Sequence, residues 1–316
     1  MNKKLKSFLS ISLLIIIILM AAYYVYSNYH EFSSIKLVNP IFILFIAILF
    51  LFAYIFVSLQ TIYLLRPLKV NLKFFEAYTL SMMTGFYNLI TPFRGGMAAR
   101  AVYLKKKHNF SYSDFFATLS ASYIITFFVA GLIGLIASYL VYAQEGSYNL
   151  VLIGIFIVIF LGMIFLMILP DFSKTKYASS ISKRPLLQKF LRIINAWHEI
   201  KHNKRIISLI FIATTIQLII ATVSLIISFS IFGWQISFAD ALLISCIGSA
   251  GILISITPAG LGIQESITIF TALALGISPS QTIPVSILGR LISTVILFIL
   301  GPLCSYYLLK RKSKSA

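Results

Sequence analysis

The sequence is poor in charged residues, above all in acids. Charged residues fill 11% of its 316 positions, and the 8 Asp and Glu residues are outnumbered by 26 Lys and Arg residues. Hydrophobic residues make up 59% and the mean hydropathy is +0.97, which is typical of a polytopic membrane protein and exceeds what a soluble core requires. In a soluble protein a net charge of +18 would suggest nucleic acid. Here the basic residues fall in short loops between apolar segments, so we expect anionic lipid headgroups as partners and no nucleic acid.

Cysteines and nucleotide-binding motifs are also scarce. The two cysteines, Cys246 and Cys304, lie in separate apolar runs without metal-ligand spacing, and we interpret both as small buried packing residues. The sequence lacks the pattern Gly-x-x-x-x-Gly-Lys-Ser/Thr, so we expect no ATP site and no primary pump. We therefore predict no cofactor and no metal site.

The sequence is rich in apolar segments long enough to cross a bilayer. We predict one all-α integral membrane domain over residues 1–316, with about seven transmembrane helices and two re-entrant helical hairpins. Six spans can be delimited in the sequence: 8–26, 40–65, 114–142, 149–169, 206–232 and 282–309. The first of them is not followed by a small-residue cleavage site, so we expect a transmembrane helix there and not a cleaved signal peptide.

The distribution of Lys and Arg predicts the orientation of the chain. The longest loop, 170–205, is strongly basic and contains an amphipathic stretch, 186–197, that we expect to lie on an anionic leaflet. Placing this loop in the cytoplasm leaves only Lys36, of the Lys and Arg residues in loops, facing outward. We therefore predict a multi-pass plasma-membrane protein with both termini in the cytoplasm.

Two similar stretches interrupt the apolar sequence: Ile-Thr-Pro-Phe-Arg-Gly-Gly at 90–96 and Ile-Thr-Pro-Ala-Gly-Leu-Gly at 256–262. Proline prevents a helix from continuing, and the glycines allow tight turns or close backbone contact. Broken backbone within a bilayer must be buried in protein or line a cavity. We therefore predict that the stretches are the tips of the two hairpins and that the tips meet within the bilayer. The break residues are Pro92, Gly95, Gly96, Pro258, Gly260 and Gly262.

The similarity extends beyond the breaks. Gly85 aligns with Gly251 and, after one inserted residue, Gly134 aligns with Gly301. Each unit consists of a span, a hairpin and a span, over 40–142 and 206–309, and the predicted topology makes the units inverted copies joined by the connecting span 149–169. Inverted repeats with broken helices are typical of alternating-access transporters, whose substrate sites lie near the midplane. The alternative is that the two apolar segments are similar by chance. Matched Pro and Gly residues make chance a weaker explanation, because they match by accident less often than Leu and Ile do.

Few ionisable residues fall within the apolar segments; they are Glu76, Arg94, Arg100, Asp114, Asp240, Glu265 and Arg290. Glu76, Asp114 and Asp240 lie near span ends, where a solvated side chain is the expectation. The other four lie deeper, where an unpaired charge costs on the order of 2.5–3.5 kcal/mol, so pairing or a functional role is expected.

The first break combines features of an anion site. A helix beginning at Gly95 and Gly96 presents free backbone N–H groups, and Arg94 and Arg100 add forked donors suited to phosphate. We expect the hydroxyls of Thr91 and Thr257 to assist. Three roles stay open for Glu265: a structural pair with Arg290, a contact to a cationic headgroup, or a proton carrier.

These motifs resemble a known family. The pattern Pro92-x-Arg94-x-Gly96-x-x-x-Arg100, the pattern Thr257-Pro258-x-Gly260-Leu261-Gly262-x-x-Glu265, and Arg290 downstream are similar to the transmembrane flippase region of lysylphosphatidylglycerol synthases and its stand-alone relatives. The resemblance covers residues 8–309. It implies translocation of an anionic, aminoacylated or otherwise phosphate-bearing lipid, or a lipid-linked substrate, between leaflets. It also implies functional roles for Arg94, Arg100, Glu265 and Arg290.

Two departures from the family pattern qualify these expectations. The family commonly has Glu after the glycine of the first motif, where this sequence has Met97. Full-length synthases also carry a soluble domain that transfers lysine from charged tRNA, whereas this sequence ends at Ala316, directly after the last span. We therefore expect no lysyltransferase activity and, more generally, a transporter and not an enzyme.

A second motif suggests a different class of function. His198-Glu199-Ile200-Lys201-His202 matches HExxH, which on a helix places two histidines for zinc and a glutamate as base. A membrane metalloprotease would need a third ligand, but the only acids downstream are Asp240 and Glu265, which the predicted topology places elsewhere. The surrounding basic residues favour a solvated helix over a zinc site. Stoichiometric zinc in the purified protein, lost on His198→Ala, would favour the protease. A channel or a scaffold also stays open, although neither explains the paired breaks as directly.

Overall fold

The computed structural model describes residues 26–27, 29–30, 35–146, 149–168, 203–251 and 257–310. Most of the first predicted span, 8–26, lies outside these ranges, as does most of the basic loop 170–205. The amphipathic stretch 186–197 and the HExxH residues 198–202 also lie outside them, so those predictions stay untested.

The described ranges are helical, which confirms the all-α prediction. The α-helices, numbered in chain order, are α1 Phe42–Leu65, α2 Phe74–Ile90, α3 Gly95–His108, α4 Tyr112–Glu145, α5 Leu150–Ile168, α6 Lys204–Ile231, α7 Phe238–Ala250, α8 Ile263–Ala274 and α9 Pro279–Lys310. Short 3₁₀ turns, Pro92–Arg94 and Pro258–Gly260, occupy the two predicted breaks.

Five helices in the described ranges are long and apolar enough to cross a bilayer: α1, α4, α5, α6 and α9. They coincide with five of the predicted spans. The shortest, α5, has 19 residues and a mean hydropathy of 3.2, and at 1.5 Å per residue it reaches across a hydrocarbon core of about 30 Å. Its exposed apolar side chains, including Val158 and Phe165, face away from the protein. The chain is thus a helical membrane protein.

The two predicted units pack against each other in a reciprocal pattern. Their first spans, α1 and α6, contact each other along their length. The first hairpin helix of one unit packs on the last span of the other: α2 contacts α9, and α7 contacts α4. Reciprocal contacts of this kind are those of a two-fold arrangement.

Small residues permit close helix contacts. A methyl group added at Gly134 would lie 2.2 Å from a ring carbon of Phe156, and one added at Gly301 would lie 2.2 Å from the Cβ of Phe86. Lipid tails are as apolar as the side chains they would displace, so helix association in a bilayer depends on such close packing. The aligned glycines of the two units therefore both serve helix packing.

A buried carboxylate joins the two helices of the first hairpin at the end opposite its tip. Glu76, near the start of α2, accepts hydrogen bonds from Tyr103 (2.8 Å) and pairs with His108 (2.9 Å) and Lys107 (3.2 Å), near the end of α3. The start of α2 thus meets the end of α3, so the two helices run antiparallel. Glu76 is only 4% exposed, which differs from the solvated position expected from the sequence.

The second hairpin pairs α7 with α8. Ser237 caps α7 by accepting a hydrogen bond from the Asp240 backbone N–H at 3.1 Å. Asp240 is 8% exposed, so it too is buried and not solvated as expected. At the other end, a Cβ on Gly251 would lie 2.5 Å from Ile267, so the two helices approach closely beside the break.

Candidate functional site

The two sequence breaks meet in the folded chain. Cα atoms of the turn Pro92–Arg94 lie within 8 Å of Cα atoms of the turn Pro258–Gly260, although the two stretches are 166 positions apart. Helix α2 also contacts the turn Pro258–Gly260. The tips of both hairpins therefore form a single region, around which the remaining polar groups are arranged.

The first tip contains strained backbone. Thr91 leaves α2 in an extended conformation, and Phe93 and Arg94 then both adopt positive φ angles of 55°. Bulky residues rarely occupy this left-handed region, and residues held there are commonly part of functional sites. A Cβ on Gly96 would lie 2.0 Å from the carbonyl oxygen of Thr84, so only glycine fits at the start of α3.

Arg94 and Arg100 line one cavity, which we call the arginine cavity. It has a volume of about 220 Å³ and lies between α1, α3 and α4, with Gln217 of α6 and Ser249 of α7 completing its wall. Arg94 donates to the hydroxyl of Tyr123 and lies 5.7 Å from the centre of that ring. Arg100 donates to Thr61 Oγ1 at 2.6 Å.

The arginine cavity carries uncompensated positive charge. None of the described residues that line it is acidic, and within the described part of the chain neither Arg94 nor Arg100 forms an ion pair. The Nε of Arg100 is buried and has no hydrogen-bond partner among the described residues. Helix α3 begins here without a side-chain cap, so its first N–H groups add partial positive charge. This chemistry suits an anion.

The second tip carries an ion pair. Glu265 Oε1 accepts a hydrogen bond from Arg290 Nε at 2.6 Å, and Arg290 Nη2 lies 2.6 Å from the same oxygen in an ion pair. Glu265 Oε2 accepts from the backbone N–H of Gly262 at 2.7 Å. The carboxylate thus compensates Arg290 and also the N-terminus of α8. Of the three roles considered for Glu265, the structure contains the pair with Arg290.

The Glu265–Arg290 pair lines a second cavity, the ion-pair cavity, of about 390 Å³ between α1, α6, α8 and α9. A third cavity of about 390 Å³, the connecting cavity, lies between α4, α6, α7 and α8. The connecting cavity shares Thr126 and Ser249 with the arginine cavity, and Gln264 and Thr268 with the ion-pair cavity. The three cavities are therefore neighbours, and we call the polar side chains that they share the polar region.

The two threonines take local roles instead of lining these cavities. Thr91 donates its hydroxyl hydrogen to the carbonyl of Tyr87, and Thr257 donates to the carbonyl of Leu261 at 2.7 Å. A hydroxyl has one hydrogen, so neither side chain has a donor left for a phosphate in this conformation. Both hydroxyls thus bind backbone carbonyls beside the breaks, and their part in substrate binding stays a prediction.

Sequence reasoning did not single out three polar residues near the arginines: Thr61, Tyr123 and Gln217. Gln217 carried a usable signal, because a glutamine within the apolar run 206–232 is costly unless it has a role.

Among the described residues no group of three His, Cys, Asp or Glu side chains could hold a metal ion. The HExxH residues lie outside that part, so the metalloprotease stays an untested alternative.

Comparisons with known proteins agree on a membrane family. A family model described as the lysylphosphatidylglycerol synthase transmembrane region matches residues 7–301. A UPF0104 membrane protein of Pyrococcus horikoshii is 27% identical over 262 residues, which cover 75% of this chain and 78% of the relative. A UPF0104 membrane protein of Methanocaldococcus jannaschii is 25% identical over 283 residues, which cover 83% of each chain.

Proposed function

The chain belongs to the lysylphosphatidylglycerol synthase transmembrane-region family, and from this membership and the site geometry we propose that it moves a phosphate-bearing lipid between leaflets by alternating access. The substrate is an anionic, aminoacylated or otherwise phosphate-bearing lipid. The observation that carries the proposal is the arginine cavity, which is lined by Arg94 of the first hairpin tip and by Ser249 of the second hairpin. Its two guanidinium groups have no acidic partner among the described residues.

Phosphate fits this cavity chemically. Two charged guanidinium groups within a membrane protein are costly unless an anion compensates them, and a guanidinium matches the paired oxygens of a phosphate. The cavity volume of about 220 Å³ falls below the roughly 300–1,000 Å³ of pockets that enclose whole small molecules. It therefore accepts a headgroup fragment while the acyl chains stay in the bilayer.

The contacts between the two units support alternating access as the mechanism. The contacts of α1 with α6, of α2 with α9 and of α7 with α4 support a pair of related units over 40–142 and 206–309. The predicted topology inverts one unit relative to the other, with both termini in the cytoplasm. Rocking of one unit against the other about the two touching tips would then open the polar region to each leaflet in turn.

A headgroup comparison in proteoliposomes tests the proposal. The leaflet position of fluorescent phosphatidylglycerol, its lysyl ester and a galactosyl diacylglycerol of equal chain length is followed with and without the protein. We expect faster transbilayer movement of the phosphate-bearing lipids and no acceleration of the galactolipid. Equal acceleration of all three would contradict recognition of phosphate, and no acceleration of any would contradict lipid translocation.

A further inference from the structure

Gln217 is the one described side chain that lines all three cavities. It projects from α6, an apolar helix of 28 residues, into the region between the arginine cavity and the ion-pair cavity. Its amide Nε2 is buried and has no hydrogen-bond partner in the described part of the chain. A buried amide without an acceptor is costly, which makes its position in a membrane helix unusual.

A second glutamine offers an internal comparison. Gln60 of α1 also lines the arginine cavity, but its amide donates to Thr214 Oγ1 at 3.2 Å. Gln60 is thus satisfied by the protein and joins α1 to α6, as a structural glutamine does. Gln217 has no such partner among the described residues, so a structural role does not explain its amide.

Similar unpartnered groups occur in the flanking cavities. The Nε of Arg100 in the arginine cavity and the Oγ of Ser286 in the ion-pair cavity are both buried without a hydrogen-bond partner among the described residues. With Gln217 between them, they form a series of hydrogen-bond donors from one cavity to the other. Such a series complements a group that carries several acceptor oxygens, as a phosphate does.

We propose that Gln217 binds the phosphate oxygens of the substrate headgroup as it passes between the arginine cavity and the ion-pair cavity. This inference rests on the proposed function and extends it by assigning the transfer step to one residue. A neutral amide binds an anion less tightly than a guanidinium does. The headgroup can therefore reach Gln217 and leave it again, as transport requires of an intermediate site.

Three variants of the full-length protein test this role. Gln217→Leu removes both donors, and Gln217→Glu keeps the shape but replaces the donating amide by a carboxylate that repels phosphate. Thr215→Val is the control, because its hydroxyl is also buried and unpartnered among the described residues, yet it lines none of the three cavities. The saturating rate and the half-saturating fraction of fluorescent phosphatidylglycerol are measured in proteoliposomes.

We expect both Gln217 variants to lower the saturating rate at least about 10-fold, the effect of losing a hydrogen bond to a charged group, with little change in half-saturation. Thr215→Val should stay within about twofold of the wild type. Wild-type rates for Gln217→Leu, together with slow rates for an Arg94→Ala and Arg100→Ala double variant, would overturn the role of Gln217 and leave the proposed function standing. A wild type that moves no lipid would overturn both.

An accessibility measurement remains informative if a Gln217 variant folds poorly. Gln217→Cys, in a background with Cys246→Ala and Cys304→Ala, is treated with a small anionic thiol reagent. We expect modification at position 217 and protection by short-chain phosphatidylglycerol, whereas a short-chain galactolipid should give no protection. A thiol that reacts equally with and without the phospholipid would contradict contact between position 217 and the headgroup.

Discussion

Tyr123 and Arg290, which the predicted alignment of the two halves places at matching positions, each bind a charged side chain of the hairpin that precedes them. They are 167 residues apart, as Gly134 and Gly301 are in the alignment of the halves. Tyr123 accepts a hydrogen bond from Arg94, whereas Arg290 donates to Glu265. The Glu265–Arg290 pair is therefore neutral, whereas Arg94 with Tyr123 keeps a positive charge that an anion would compensate.

This difference predicts the effect of Tyr123→Glu. A carboxylate beside Arg94 would give the first half an ion pair like that of the second and would compete with a phosphate for the guanidinium. We expect translocation of fluorescent phosphatidylglycerol to fall about 10-fold, which corresponds to about 1.4 kcal/mol. Tyr123→Phe, which removes only the hydroxyl, should retain most of the rate. Equal rates for the two variants would show that the charge of the cavity is irrelevant.

The Glu265–Arg290 pair predicts a non-additive effect on stability. The two side chains are 19% and 22% exposed, so the loss should be smaller than for a fully buried pair. We expect Glu265→Gln or Arg290→Gln alone to lower the free energy of unfolding by about 1–3 kcal/mol, because each leaves its partner uncompensated. The double variant should lose less than the sum, measured by unfolding in detergent micelles. Additive losses would mean that the pair contributes no coupling.

Two neighbouring lysines test the closure of the first hairpin. Lys107 contacts Glu76, whereas Lys106 is exposed one position earlier on the same helix. We expect Lys107→Gln to lower the free energy of unfolding by about 0.5–1.5 kcal/mol. The matched change Lys106→Gln should stay within about 0.5 kcal/mol of the wild type. If the two variants unfold at the same temperature, Lys107 does not help to hold α2 and α3 together.

A substitution at Gly96 tests the packing of the first tip. A Cβ there would lie 2.0 Å from the carbonyl oxygen of Thr84, so Gly96→Ala must displace backbone and should cost about 1–3 kcal/mol. The control is Gly154→Ala in α5, where an added Cβ meets nothing within 4 Å. That change should be neutral or stabilising by about 0.5–1 kcal/mol, because alanine favours a helix. Equal stability of both variants would contradict the close contact between α2 and α3.

Local signals predicted most of the fold. Apolar run length located the spans now seen as α1, α4, α5, α6 and α9, because a bilayer requires about 20 apolar residues. Proline and glycine located both turns, because their backbone restrictions act within a few residues. Arg94 and Arg100 were expected to act together, and they line one cavity because both lie in the first turns around a single helix start.

These local signals could not predict contacts between residues that are far apart in the sequence. Glu76 was expected in solvent because it lies near a helix end, but its partners are 27 to 32 residues away on α3. A glutamine in an apolar run is a sequence signal, but Gln60 carries the same signal, and only the packing of α6 beside three cavities separates Gln217 from it. The threonines at the breaks were expected to assist at the anion site, and the sequence did not predict that their hydroxyls would donate to nearby carbonyls.

The most direct test of the central claim is the rate at which fluorescent phosphatidylglycerol changes leaflet in proteoliposomes containing the Arg94→Ala and Arg100→Ala double variant. Arg66→Ala is the matched control, since it removes a positive charge from an exposed turn that lines none of the three cavities. We expect the double variant to lose at least about 10-fold in rate, as for loss of a hydrogen-bonded charge contact, and the control to match the wild type. Wild-type rates in the double variant would contradict the claim that the arginine cavity binds the lipid headgroup.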